Sequence, residues 1–147
     1  MLQSPIAVSG TDVLWDMTAT KVTSSLFVVC YRRLSASTAR CRVGNVTEST
    51  QSITFGTPLD VFDSATYING VVTNLYDATD RVVLSFSVST SECSKVVVMG
   101  VNGMSIVTVT PSDLNRYEYS SMSDNLASVA LSKTNILLAY RVRGCVR

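Results

Sequence analysis

The chain has only three prolines, Pro5, Pro58 and Pro111, and they stand 53 residues apart. Each follows a hydroxyl residue: Ser4, Thr57 and Thr110. Cys41, Cys93 and Cys145 recur at intervals of 52. Phe27-Val28-Val29-Cys30-Tyr31 aligns with Val82-Val83-Leu84-Ser85-Phe86 and with Ile136-Leu137-Leu138-Ala139-Tyr140. Ser52-Ile53-Thr54-Phe55 aligns with Ser105-Ile106-Val107-Thr108. Self-similarity at a fixed period restricts a chain to copies of one supersecondary unit. The spacing predicts a single repeat domain of three units, 1–51, 52–104 and 105–147.

Inside a unit the signals are those of strands. Valine numbers 22, and serine with threonine 37, of 147 residues, a composition suited to a pleated, half-buried surface. The middle unit predicts strands over Ser52–Phe55, about Tyr67–Leu75, Arg81–Val88 and Cys93–Val101. Gly56-Thr57-Pro58 breaks the first of these, and Asp60, Asp63 and Ser64 read as loop. Asp77 to Asp80 reads as a turn, and Asn102-Gly103 is a two-residue hairpin signal. No segment has a convincing 3.6-residue period. Each unit therefore reads as a four-stranded antiparallel meander, and the fold class is all-β.

Repeated four-stranded meanders of this length are propeller-blade-like. Ala127 to Arg141 and Ser52 to Pro58 resemble the degenerate propeller-like repeats of some phage-tail and secreted microbial proteins. That resemblance covers nearly the whole chain. It implies binding or scaffolding rather than a reaction, and it carries over no functional residue. Closed propellers usually have four or more blades. Three full units of 53 would overrun the 147 residues present by 12, so the third is incomplete. Three arrangements follow: a piece of a longer propeller, a chain completed by association into a ring or fibre, or a closed three-lobed fold. An unfinished meander leaves unpaired backbone groups on an edge, a template for another chain. The expected partners at Met1–Ser9 or Gly144–Arg147 are strands from a neighbouring copy.

Charge is distributed unevenly. Units one and three carry +2 each and the middle unit −3, within a net +1. Seven of nine arginines lie in the hairpins of the outer units: Arg32, Arg33, Arg40, Arg42, Arg141, Arg143 and Arg147. Such a pattern is self-complementary and predicts Arg32, Arg33, Arg141 or Arg143 meeting Asp60, Asp63 or Asp77 between chains. The plainer reading is a solvated surface. A third reading makes Arg32, Arg33, Arg40, Arg42, Arg141 and Arg143 ligand contacts for anionic glycans or phosphates. Separately, Trp15 and the tyrosines are candidate stacking platforms for sugars. An isoelectric point of 7.6 argues against nucleic acid.

The cysteines have two readings. A hairpin turning at Leu34–Ser37 sets Cys30 opposite Cys41, where a disulfide could form, although directly facing positions often suit one poorly. All four cysteines also suit small core positions. Their spacing matches no metal motif. The chain has no histidine, which removes histidine triads and most zinc and copper sites. Asp60 with Asp63 and Asp77 with Asp80 lack the calcium-loop pattern and suit turn capping. Asn45-Val46-Thr47 is an N-glycosylation sequon. Tyr31, Phe86 and Tyr140 share one phase of the unit and read as buried packing residues. No apolar run nears the length of a membrane helix, and Met1–Pro5 shows no leader pattern. The expectation is an extracellular or virion- or cell-surface module, not an enzyme. It has no cofactor, no nucleic-acid partner and no membrane insertion, and it associates with copies of itself or binds carbohydrate.

Overall fold

The computed structural model describes residues 8, 14–33, 38–62, 71–74, 81–88, 93–108, 123–132 and 135–142. Within them the chain is all-β and forms three antiparallel sheets. The first holds β1 (Leu14–Lys21), β2 (Leu26–Arg33), β3 (Thr38–Thr47), β4 (Ser52–Phe55) and β5 (Leu59–Phe62). A meander of β6 (Val71–Asn74), β7 (Arg81–Val88), β8 (Cys93–Asn102) and β9 (Ser105–Thr108) makes the second. The third is the hairpin of β10 (Ser123–Ala130) and β11 (Ile136–Val142).

Local chemistry explains the elements. β2 reads LFVVCYRR and is buried over its middle on both faces, as a central strand with apolar residues in succession should be. β1 alternates half-buried and exposed residues, as a strand with one covered face does. Gly103 has φ 55 at the first of two loop positions between β8 and β9. A tight hairpin requires that conformation, which glycine adopts without steric cost.

β4 and β5 lie end to end along β3. Gly44–Thr47 pairs with Ser52–Phe55, and Ala39–Cys41 pairs with Leu59–Phe62. Gly56-Thr57-Pro58 is the break between them, as the sequence predicts. Asp60, expected in a loop, lies on β5 opposite Arg40. Pro58 permits this because it precedes the strand, so its missing N–H interrupts no ladder bond. The turns joining β3 to β4 and β8 to β9 both lie inside sheets. Each four-residue strand after such a turn therefore joins the sheet before it.

The registers correspond closely. Leu26↔Asn45 and Arg33↔Thr38 on β2 and β3 match Arg81↔Gly100 and Val88↔Cys93 on β7 and β8 at one constant offset. Leu14↔Arg33 and Lys21↔Phe27 match Ser123↔Val142 and Ala130↔Ile136, again at a single offset. Both of these hairpins carry an irregularity near the same end. The cysteine markers do not align this way. Cys93 corresponds to Thr38, whereas Cys41 corresponds to Val96.

One core joins the first two sheets. Val22, Val28, Cys30, Ala39, Cys41 and Val43 pack with Val82, Leu84, Met99, Val101 and Ile106. Directly opposed residues share a face, so Val28 with Val43 and Cys30 with Cys41 define the inner face of the first sheet. Val82 and Leu84 define the receiving face of the second. Val83 points the opposite way on β7 and is also buried, so this sheet is covered on both faces. β6 lies beside β1 and also beside β10, and β10 approaches β7. Among the described residues no helix is long and apolar enough to cross a membrane.

Candidate functional site

The arginines singled out by the sequence on β2 and β3 meet partners inside the chain. Arg40 and Asp60 are cross-strand neighbours, and strand geometry aims both side chains to one face. Arg40 Nε and Nη2 donate to Asp60 Oδ1 and Oδ2 at 2.5 and 2.7 Å, a bidentate pair. Those bonds hold the Asp60 carboxyl below its ordinary range, against partial burial, with the charges of Arg40 and Arg33 adding to the shift. Asp60 is thus engaged by its own chain rather than left free for a neighbouring one. Asp63 and Asp77 lie outside the described residues.

Arg42, next on that face, closes a second set of contacts. Its Nε donates to the Gly56 carbonyl at 3.0 Å and its Nη1 to the Val8 carbonyl. The guanidinium also lies 5.2 Å from the Phe55 ring centroid, within cation–π range. Phe55 meets Phe27 edge to face, with centroids 5.9 Å apart. Phe27 reaches Phe55 across Gly44, where an added Cβ would lie 2.2 Å from the Phe27 ring. One arginine thus anchors Val8, the β4–β5 break and an aromatic pair.

Arg32 is buried and lies under Trp15, its guanidinium 5.4 Å from the ring centroid. Its Nε stands 3.6 Å from Asp16 Oδ2. Asp16 adopts φ 52 where the β1–β2 register shifts. A left-handed aspartate at a bulge is among the less costly ways to re-aim neighbouring side chains. Here it sends the carboxylate inward to Arg32 and leaves Trp15 half exposed. Sequence reasoning missed this contact, because Asp16 sits mid-strand without a turn residue beside it.

Cys30 and Cys41 are joined by a disulfide across β2 and β3. Tyr31 is buried, and Phe86 and Tyr140 hold the corresponding places on β7 and β11, although their side chains lie outside the described residues. The same applies to the side chain of Arg141 on β11 and to all of Arg143. Asn45 of the sequon is half-buried on β3, paired with Leu26 on one side and Thr54 on the other. Among the described residues no three acidic, cysteine or histidine side chains gather where they could hold a metal.

The chain matches no protein-family model, no curated protein and no solved structure. Function must therefore be argued from this chain's own surface.

Exposed apolar side chains cluster at two places among the described residues, besides a single Val107 on β9. Trp15 and Met17 stand out from β1, and Val129, Leu131 and Leu137 from the third hairpin. Val129 and Leu137 oppose each other across β10 and β11. Among the described residues β11 pairs only with β10, while its counterparts β2 and β7 each pair on both sides. Sequence periodicity located these strands but not this exposure, because identical alternation serves a covered and an uncovered face.

Proposed function

We propose that the chain is a non-enzymatic structural or interaction module, built from three propeller-blade-like units, that associates with its own copies into a ring or fibre. The observation carrying this reading is the one-sided pairing of β11 among the described residues. A strand edge with free N–H and C=O groups accepts another strand, and each added backbone bond contributes roughly 1 kcal/mol net. The matching registers of the sheets support units of one kind. A disulfide persists in oxidising surroundings, so Cys30–Cys41 supports a place outside the cell or on a virion or cell surface. Sedimentation across the soluble concentration range, with negative-stain microscopy, tests association. A single-chain mass throughout would end the reading.

Carbohydrate binding is a second reading, favoured by half-exposed Trp15 above Arg32. Aromatic faces stack on sugar rings, and a flanking guanidinium supplies donors. A glycan array comparing the wild type with Trp15→Ala tests it. Equal, background-level signal from both would dismiss it.

A further inference from the structure

Cys30 and Cys41 are both fully buried, and the strand register shows what surrounds them. They oppose each other on the face that also carries Val28 with Val43. On their other side along the strands, Arg32 and Ala39 oppose each other on that same face, and both are buried. Across the sheet, Thr18 of β1 stands beside Cys30 and Leu59 of β5 beside Cys41. The bond is thus fenced within its own sheet. Above it lies the second sheet, whose Val82, Leu84 and Met99 belong to the same core as both cysteines.

The bond does not need the second sheet in order to form. The cysteines are separated by 11 residues on one hairpin, directly opposed. A hairpin closes in about 1–10 μs, ahead of contacts between sheets distant in sequence. The second sheet carries no such bond, because Ser85 and Val96 hold the places of Cys30 and Cys41 on β7 and β8.

Thiol–disulfide exchange needs access: a thiolate must reach one sulfur of the pair. We infer that the second sheet is a cover over Cys30–Cys41, so that the bond is made and broken only while the first two sheets are apart. In making it, one cysteine thiolate attacks a donor disulfide and expels a donor thiolate. The other cysteine thiolate then displaces the second donor thiolate. Two electrons pass to the donor, which leaves as two thiols carrying the two protons that the cysteines lost. A reducing dithiol runs the same steps in reverse. The redox state is therefore set when the sheets close. A closed chain keeps its bond in surroundings that reduce an open one. This holds whether or not copies of the chain associate.

The test follows reduction of the oxidised chain by dithiothreitol, with quenched alkylation and mass spectrometry reading Cys30 and Cys41 separately from Cys93 and Cys145. In native buffer the bond is reduced at least about 100-fold more slowly than in the urea-unfolded chain, because only the open fraction reacts. Leu84→Ala, in the cover, speeds native reduction at least about 30-fold, the lower end of what losing a buried leucine gives. Val129→Ala, at an exposed position on the third hairpin, leaves the rate unchanged. Circular dichroism checks that each variant folds, and Val101→Ala, a smaller deletion in the same core, replaces Leu84→Ala if that chain does not. A native rate closer to the unfolded one overturns the inference. So does a cover variant reduced no faster than Val129→Ala, since the first sheet alone is then the barrier.

Discussion

Replacing Gly56 by alanine tests how the first two sheets are locked together. A Cβ built at Gly56 would lie 1.8 Å from the Met104 carbonyl oxygen and 2.8 Å from its carbonyl carbon. Real Cβ atoms essentially never approach below 3.0 Å, so one backbone or the other must shift. Neither side can yield easily. The Gly56 N–H donates to the Val43 carbonyl at 2.9 Å, and its own carbonyl accepts from Arg42 Nε at 3.0 Å. Met104 sits in the two-residue loop between β8 and β9, next to Val101 and Ile106 of the shared core. A gap of about 0.5–1 Å already forfeits about a quarter to a half of the dispersion between facing atoms. Overpacking of this kind costs about 1–3 kcal/mol, and loss of one of the two hydrogen bonds adds roughly 1 kcal/mol. The expected destabilisation is about 2–4 kcal/mol. With a urea dependence of roughly 1–3 kcal/mol per molar, the midpoint falls by about 1 M or more. Gly103→Ala is the control. Nothing lies within 4 Å of its added Cβ, so it bears only the left-handed φ of 55, at about 1 kcal/mol. Urea unfolding followed by circular dichroism measures both. A Gly56→Ala midpoint no lower than that of Gly103→Ala would refute the claim that Gly56 sets the closeness of the sheets.

Reducing Cys30–Cys41, which spans 11 residues, should lower stability by about 3 kcal/mol on the loop-entropy estimate, seen as a fall in urea midpoint with dithiothreitol that Cys30→Ala/Cys41→Ala reproduces. Asp60 has a folded pKa below its unfolded value, so its pair with Arg40 stabilises above the unfolded pKa of 3.8 and loses that contribution as pH falls through the lower, folded value. Asp60→Asn should therefore cost only about 0–1 kcal/mol at pH 7, because the pair is partly exposed to solvent, and should converge with the wild type in melts at strongly acidic pH. Asp16→Ala removes the carboxylate 3.6 Å from buried Arg32 and should destabilise by about 1–3 kcal/mol; an unchanged melting temperature would mean that Arg32 does not depend on Asp16.

Much of the fold was legible because strand signals are local. Arg81–Val88 is predicted to the residue, and Cys93 as the start of the next strand agrees with β8. Apolar runs bounded by turn residues announce themselves without tertiary context. What escaped depends on partners distant in sequence. β5 reads as loop because Pro58 and Asp60 are turn formers, and only Arg40, 20 residues away, makes Asp60 suitable on a strand. Equal spacing aligned Cys41 with Cys93, but register follows hydrogen bonding, and the loop before β7 differs in length from that before β2. For the candidate surface, sequence reasoning singled out Trp15 and the arginines. It placed Arg32 and Asp60 between chains, where the structure pairs each inside the chain. The exposed hairpin face was not legible at all, since Leu137 and Val28 look alike until their neighbours are known.

The disulfide joins adjacent strands of one sheet and ties no sheet to another. Among the described residues, covalent reinforcement therefore lies within a layer, and the joint between the first two layers is the packing of valines, Leu84 and Met99. Under mechanical load that joint is the yielding plane. Stretched in an optical trap, the oxidised chain should separate layer from layer at lower force than β2 from β3. At full extension it should also fall short of the reduced chain by roughly 40 Å, the length of the 11 residues that Cys30–Cys41 keeps looped, at about 3.6 Å each.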